Sequence, residues 1–282
     1  MHAQKKKNVK MPCAGILPLG FHHMKIVDAH VHLSDKEYAG YTDMLVEDAK
    51  NAGALALVSN AMDYESCVSV LKLKQQHPEL IHAALGIHPW NVNVLKESEL
   101  ENTTKLITDE HGKGNVLAIG EIGLDCKYEA SWSQQLLVFD KMLRLAEKLK
   151  LPVIIHSRGT TAFIVDMLPS YNLKRVLLHW FSHPMTALQQ AIGHGYYITE
   201  GPPAVYSNGI RDVILNTPLT NLLTETDGPV LFRKAPFNGQ MTRPSFIREV
   251  VCAVADLKQI PAEDAADQIT RNFEDFFSLK LS

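Results

Sequence analysis

From Met24 onward, eight short apolar runs alternate with stretches of helical periodicity, and few architectures accommodate that pattern. The runs fall at about 25–32, 54–59, 81–87, 116–122, 152–155, 175–178, 196–199 and 222–224. Helices are expected at Thr42–Asn51, from an Asp63 cap toward His77, and within 98–109, 133–150, 245–257 and 262–279. The 133–150 stretch places Leu136, Leu137, Phe139, Met142, Leu143, Leu145, Ala146 and Leu149 for a core-facing helix. Repeated strand–helix units predict an α/β fold, a single-domain (β/α)8 TIM barrel, with a doubly wound sheet as the alternative. A chain of 282 residues suits one barrel with few insertions. The longest irregular stretch, 229–244, is expected over the barrel mouth.

Composition narrows the setting. A hydrophobic content of 46% with a formal net charge of −3 describes a globular chain with no global attraction to polyanions or membranes. Cys13, Cys67, Cys126 and Cys252 form no C-x-x-C pair, which argues against a zinc–thiolate site or a disulfide framework and for a reduced, cytoplasmic setting. No apolar run approaches membrane-spanning length, and a monomer is expected. Residues 1–23 carry Lys5, Lys6 and Lys7 before a short apolar piece broken by Pro18, a poor signal peptide, and are read as a flexible extension before a domain at 24–282.

The polar residues of the strands follow one rule. His30 and His32 alternate along the first strand and so share a face, where two imidazoles can hold one metal ion. His88, Glu121, Asp125, His156, His179 and Asp227 each sit at or just past the C-terminal end of a predicted strand. In a barrel these ends converge on one mouth, where active sites are built. Histidines and carboxylates without thiolates suit zinc, manganese or magnesium.

Strands one and eight are neighbours in a barrel, so His30, His32, Asp227 and Glu121 can surround one ion. His156 and His179, on adjacent strands, can hold a second, with Glu121 placed to bridge. Two ions roughly 4 Å apart would activate a water and stabilise attacking and leaving oxygens. His88 and Asp125 are candidates for hydrogen bonds to substrate or to a ligand, and Arg158 for a bidentate phosphate contact. Lys127, Arg158, Arg233, Lys234 and Arg243 would form a basic rim suited to an anionic substrate.

With these residues in place the chain resembles the TatD family of metal-dependent deoxyribonucleases, within the amidohydrolase superfamily. The likeness rests on Asp28-Ala29-His30-Val31-His32-Leu33, Gly86-Ile87-His88-Pro89, Gly120-Glu121-Ile122-Gly123-Leu124-Asp125, the 151–158 stretch ending in His156-Ser157-Arg158, His179-Trp180-Phe181 and Thr226-Asp227-Gly228-Pro229, with Asn272 and Phe276 closing the order. The resemblance implies one metal on His30, His32, Glu121 and Asp227 and another on Glu121, His156 and His179. It implies hydrolysis of DNA phosphodiester bonds, often as a 3′→5′ exonuclease, with Asp227 and Glu121 catalytic and Asp227 accepting a proton from the attacking water.

Three positions depart from the family pattern: Gly159 replaces an acidic residue, Gly228 a serine, and Met241-Thr242-Arg243-Pro244 the usual Arg-Asn-Glu-Pro. The alternatives are hydrolysis of an amide, ester or lactone at the same metals, or a metal-binding scaffold without activity. Whether the basic rim faces the metals separates the first two.

Overall fold

The computed structural model describes residues 24–281; the extension at 1–23, with Cys13 and the basic Lys5–Lys7 run, lies outside the described residues. Eight parallel strands form one sheet in sequence order: β1 (Ile26–Val31), β2 (Ala54–Asn60), β3 (Ile81–Leu85), β4 (Ala118–Gly123), β5 (Val153–His156), β6 (Val176–Leu178), β7 (Tyr197–Glu200) and β8 (Leu222–Thr224). Around them run α1 (Thr42–Asn51), α2 (Tyr64–Gln76), α3 (Glu97–His111), α4 (Trp132–Leu149), α5 (Thr161–Met167), α6 (Met185–Gly193), α7 (Asn208–Asn216), α8 (Ile247–Lys258) and α9 (Ala262–Phe277). This is the (β/α)8 barrel, and the doubly wound alternative is excluded by the unbroken strand order.

β1, β3, β4 and β6 are shorter than their apolar runs, while the other four match theirs to within a residue. β3 stops at Leu85, and past it the N–H of His88 donates to the Met62 carbonyl rather than to a ladder. The short helices α5, α6 and α7, seven to nine residues each, carry too few periods to stand out in the sequence. Asp63 caps α2 as expected, with a reciprocal bond between its carboxylate and Ser66. In α4 the buried stripe is Gln135, Val138, Phe139, Met142, Leu143, Leu145 and Ala146. Leu137, expected in the core, falls off that stripe and is 54% exposed.

Backbone and side-chain bonds together close the barrel between β8 and β1. The Thr224 hydroxyl donates to the Val27 carbonyl at 2.8 Å, the Asp227 N–H to the His30 carbonyl at 2.9 Å, and the His32 N–H to the Gly228 carbonyl at 2.8 Å. Buried Asp28 is the clasp: Oδ1 accepts the N–H groups of His30 and Thr226, both at 3.1 Å, and Oδ2 accepts the Thr226 hydroxyl at 2.6 Å. Burial dominates over those bonds and pushes its carboxyl up to about 8. From α9, Asn272 donates to the Leu219 and Leu222 carbonyls at 2.6 and 2.8 Å and pins the start of β8.

Replacing Asp28 with alanine would leave those donors buried without an acceptor. The expected cost is about 2–4 kcal/mol, read as a lower urea midpoint. An unchanged midpoint would remove Asp28 from the closure. Asp28→Asn, which keeps an oxygen in place, is expected to cost less than half as much.

Candidate metal centre

Alternation along β1 turns Val27 and Ala29 toward α8 and α9 and Val31 toward α1, leaving His30 and His32 on the opposite face. Glu121 reaches that face by a different route. Ile119 and Ile122, three residues apart, both pack outward into the same helix-side core, and the β4–β5 register shifts between them. The extra residue turns Glu121 inward where strict alternation would have sent it out. Asp227 sits just past β8 with a left-handed backbone, φ +49°, a conformation typical of residues held by function.

All six expected metal ligands meet in one buried cluster around Glu121. Its Oε2 lies 3.4 Å from His30 Nε2 and 3.1 Å from His32 Nε2. Its Oε1 lies 3.0 Å from His156 Nδ1 and 2.8 Å from His179 Nε2. Asp227 Oδ1 stands 3.4 and 3.6 Å from the same nitrogens of His30 and His32. One carboxylate thus divides two sets of imidazoles between its two oxygens.

The surrounding bonds set tautomers. The His32 Nδ1–H donates to the Asn60 carbonyl at 3.0 Å, which aims Nε2 at the cluster. His179 Nδ1 faces the buried Glu225 carboxylate at 3.4 Å. His88 stands as close as the expected ligands: its Nδ1 accepts the Trp90 N–H, leaving Nε2 to donate to Glu121 Oε1 at 3.2 Å. Asp125 Oδ2 joins His156 Nε2 at 3.0 Å to the indole N–H of Trp90 at 2.8 Å.

Charges within the cluster oppose burial. Burial by itself would raise the Glu121 carboxyl, yet the imidazoles of His88, His179 and His30 hold it well below the usual carboxylate range. Asp227 is held low in the same way by His30 and His32. Burial works to lower His32, but Asp227 and Glu121 outweigh it and push it up to about 10. His179 and His156 also rise against burial, through Glu121 and Glu225 for the first and Asp125 and Glu121 for the second. His88 goes the other way, lowered to about 4 because burial outweighs its single carboxylate neighbour.

The donor set fits divalent metal. His30, His32 and Asp227 place one donor atom each within 4.8 Å of one another, as do His30, Glu121 and His179, and His88, Glu121 and His156. These groups offer nitrogen and oxygen donors, with no thiol among them.

Above the cluster a cleft of about 710 Å³ is walled by Trp90, Trp180, Ser157, Arg158, Ser182, Val230 and Leu231. Pro229, Val230 and Leu231 bring the 229–244 loop to the mouth as expected. The expected basic rim reaches the cleft lining at one position. Of its five cations, Arg158 alone lines the cleft. Arg243 turns outward to Asp48 Oδ1 at 3.8 Å and lies over the Phe246 ring, while Lys234 lies over Tyr206. Asp35 and Glu37 line the cleft instead.

The departures from the family pattern have local causes. Gly159 has φ +72°, and a Cβ there would meet Cys126 Sγ at 2.4 Å. A Cβ on Gly228 would meet the Tyr38 hydroxyl at 1.9 Å, so the serine's room is taken by a tyrosine that donates to the Thr242 carbonyl. Trp90 and Glu225 are the residues that strand-end reasoning passed over. Trp90 lies two positions after a strand-end histidine and Glu225 two before a strand-end aspartate.

The model of the TatD-related DNase family matches residues 27–278. A metal-dependent hydrolase of Methanocaldococcus jannaschii is 30% identical over 92% of this chain and 99% of its own length. The human deoxyribonuclease TATDN3 is 28% identical over 88% of this chain and 92% of its own length. Among solved structures, YjjV, a TatD homologue from Escherichia coli, superposes with a TM-score of 0.84 at 30% identity, covering 90% of this chain and 98% of that one.

Proposed function

The chain belongs to the family of TatD-related DNases, metal-dependent hydrolases, and from that premise we propose that it hydrolyses phosphodiester bonds of DNA at a centre holding two divalent ions, as a 3′→5′ exonuclease. The observation that carries the reading is the division of Glu121: Oε2 serves His30 and His32, Oε1 serves His156 and His179. His30, His32, Asp227 and Glu121 would hold one ion, and Glu121, His156 and His179 the other, with magnesium, manganese or zinc as the candidates. When bound, the ions supply a water of lowered pKa and neutralise charge on the phosphate.

The chain's own residues do the rest. The Asp227 carboxyl, held ionised by its histidines, accepts a proton at Oδ1 or Oδ2. His88, neutral at pH 7 with its Nε2–H directed into the cluster, is a hydrogen-bond donor rather than a base. Arg158 at the cleft wall binds a phosphate oxygen pair. Asp125 holds His156 from behind.

A second reading has one observation in its favour. The cleft is lined by a single arginine and by apolar Val230 and Leu231, which also suits an uncharged amide, ester or lactone. Incubation of the purified protein with end-labelled single- and double-stranded DNA, a lactone and an N-acyl amino acid separates the two. EDTA-sensitive loss of DNA is the expected result. Turnover of the small molecules with intact DNA would replace the first reading with the second.

A further inference from the structure

Trp90 occupies an unusual place for a large aromatic side chain. It lines the cleft, remains 38% exposed, and its ring centroid lies 4.8 Å from that of His88 and 6.1 Å from that of His156. Tyr128, 45% exposed, stacks on it at 5.3 Å and 24°. The ring is fixed before any ligand arrives. Its indole N–H donates to Asp125, and Asn93 ties the two loops together, donating to the Glu129 carbonyl at 2.7 Å and accepting the Ser131 N–H at 2.8 Å. A rigid aromatic face loses little entropy on binding.

We propose that Trp90, backed by Tyr128, is the surface on which the cleft stacks an unpaired nucleobase, that of the nucleotide next to the attacked phosphate; this rests on the phosphodiesterase reading above. The charge balance of the cleft calls for such a contact. Binding of nucleic acid through phosphate neutralisation needs many cations, and here Arg158 shares the cleft lining with Asp35 and Glu37. Stacking on an aromatic side chain is worth about 1–3 kcal/mol per base and needs no cation. A paired base has its faces covered by its neighbours in the duplex and cannot offer one to Trp90, so the same contact selects unpaired ends.

The test compares kcat/KM for two single-stranded oligonucleotides, identical except that the nucleotide at the cleaved end carries either its base or a tetrahydrofuran abasic residue. The wild-type enzyme is expected to favour the base-bearing end by about 5- to 150-fold, the equivalent of one stacked base. Trp90→Phe and Trp90→Leu both lose the bond to Asp125, so their difference reads the aromatic face alone. Phenylalanine is expected to keep most of the preference and leucine to bring it close to one. No preference in the wild type, or equal preference in the two variants, overturns the assignment while leaving phosphodiester hydrolysis intact. Failure to hydrolyse either oligonucleotide overturns the phosphodiesterase reading, and the assignment with it.

Discussion

Replacing Glu121 with alanine is expected to lower metal-dependent hydrolysis by at least about a thousandfold and to weaken the binding of both ions, with little change in the far-UV spectrum. The size of the effect follows from position. Each of its two oxygens serves one set of histidines, so the change removes a donor from both. The barrel does not depend on it in the same way, because the strand ladder and the Asp28 clasp lie elsewhere. Metal content by mass spectrometry separates the cause from simple unfolding. Wild-type turnover by a folded, metal-loaded Glu121→Ala enzyme would end the mechanism. Glu121→Gln, which keeps the shape and removes the charge, should fall between the two.

Metal binding is expected to release protons at pH 7, and its affinity to climb steeply with pH. Imidazole must give up a proton to bind metal through that nitrogen. His32 is pushed up to about 10, so the EDTA-treated protein carries that proton at neutral pH, and His156 and His179 are raised in the same direction by their carboxylate neighbours. Each proton displaced makes the apparent affinity change by about tenfold per pH unit below the folded pKa. Calorimetric titration in two buffers of different ionisation enthalpy counts the protons directly. Binding without proton release would contradict the electrostatic description of the cluster.

The same groups place the stability optimum of the EDTA-treated protein. A histidine raised in the fold contributes fully below its unfolded value of 6.5 and loses that contribution as pH rises through the folded one, about 10 for His32. Glu121 and Asp227, lowered from 4.5 and 3.8, contribute above those values and lose it on acidification. Across pH 4.5–6.5 these contributions are both in place, and above it the thermal midpoint should fall toward pH 10 as His32 loses its proton through about 10 and Asp28 ionises through about 8.

Much of this was legible in the sequence, because barrels announce themselves by repetition and their chemistry collects at strand ends. Thr42–Asn51 and Leu222–Thr224 come out with the same bounds from pattern and from structure. The six strand-end and β1 residues His30, His32, Glu121, His156, His179 and Asp227 do converge. What stayed hidden has physical reasons. The inward turn of Glu121 comes from a register shift, which breaks the period-two rule that sequence reading relies on. The basic rim failed because a cation's position in a loop says nothing of its direction, and Arg243 found Asp48 on α1 instead of the cleft. The place of Trp90 depends on Asp125, thirty-five residues away in the chain, and no local pattern records that bond. Gly228 reads as a lost serine until Tyr38 is seen in the space.

In the proposed mechanism, hydrolysis of DNA depends on two ions held around Glu121. This dependence is tested most directly by titrating magnesium or manganese into EDTA-treated protein while following both bound metal and the release of labelled nucleotide from single-stranded DNA. No release is expected without metal, and the rate is expected to saturate at two ions per chain. Intact DNA at two bound ions per chain, or undiminished release after chelation, would contradict it.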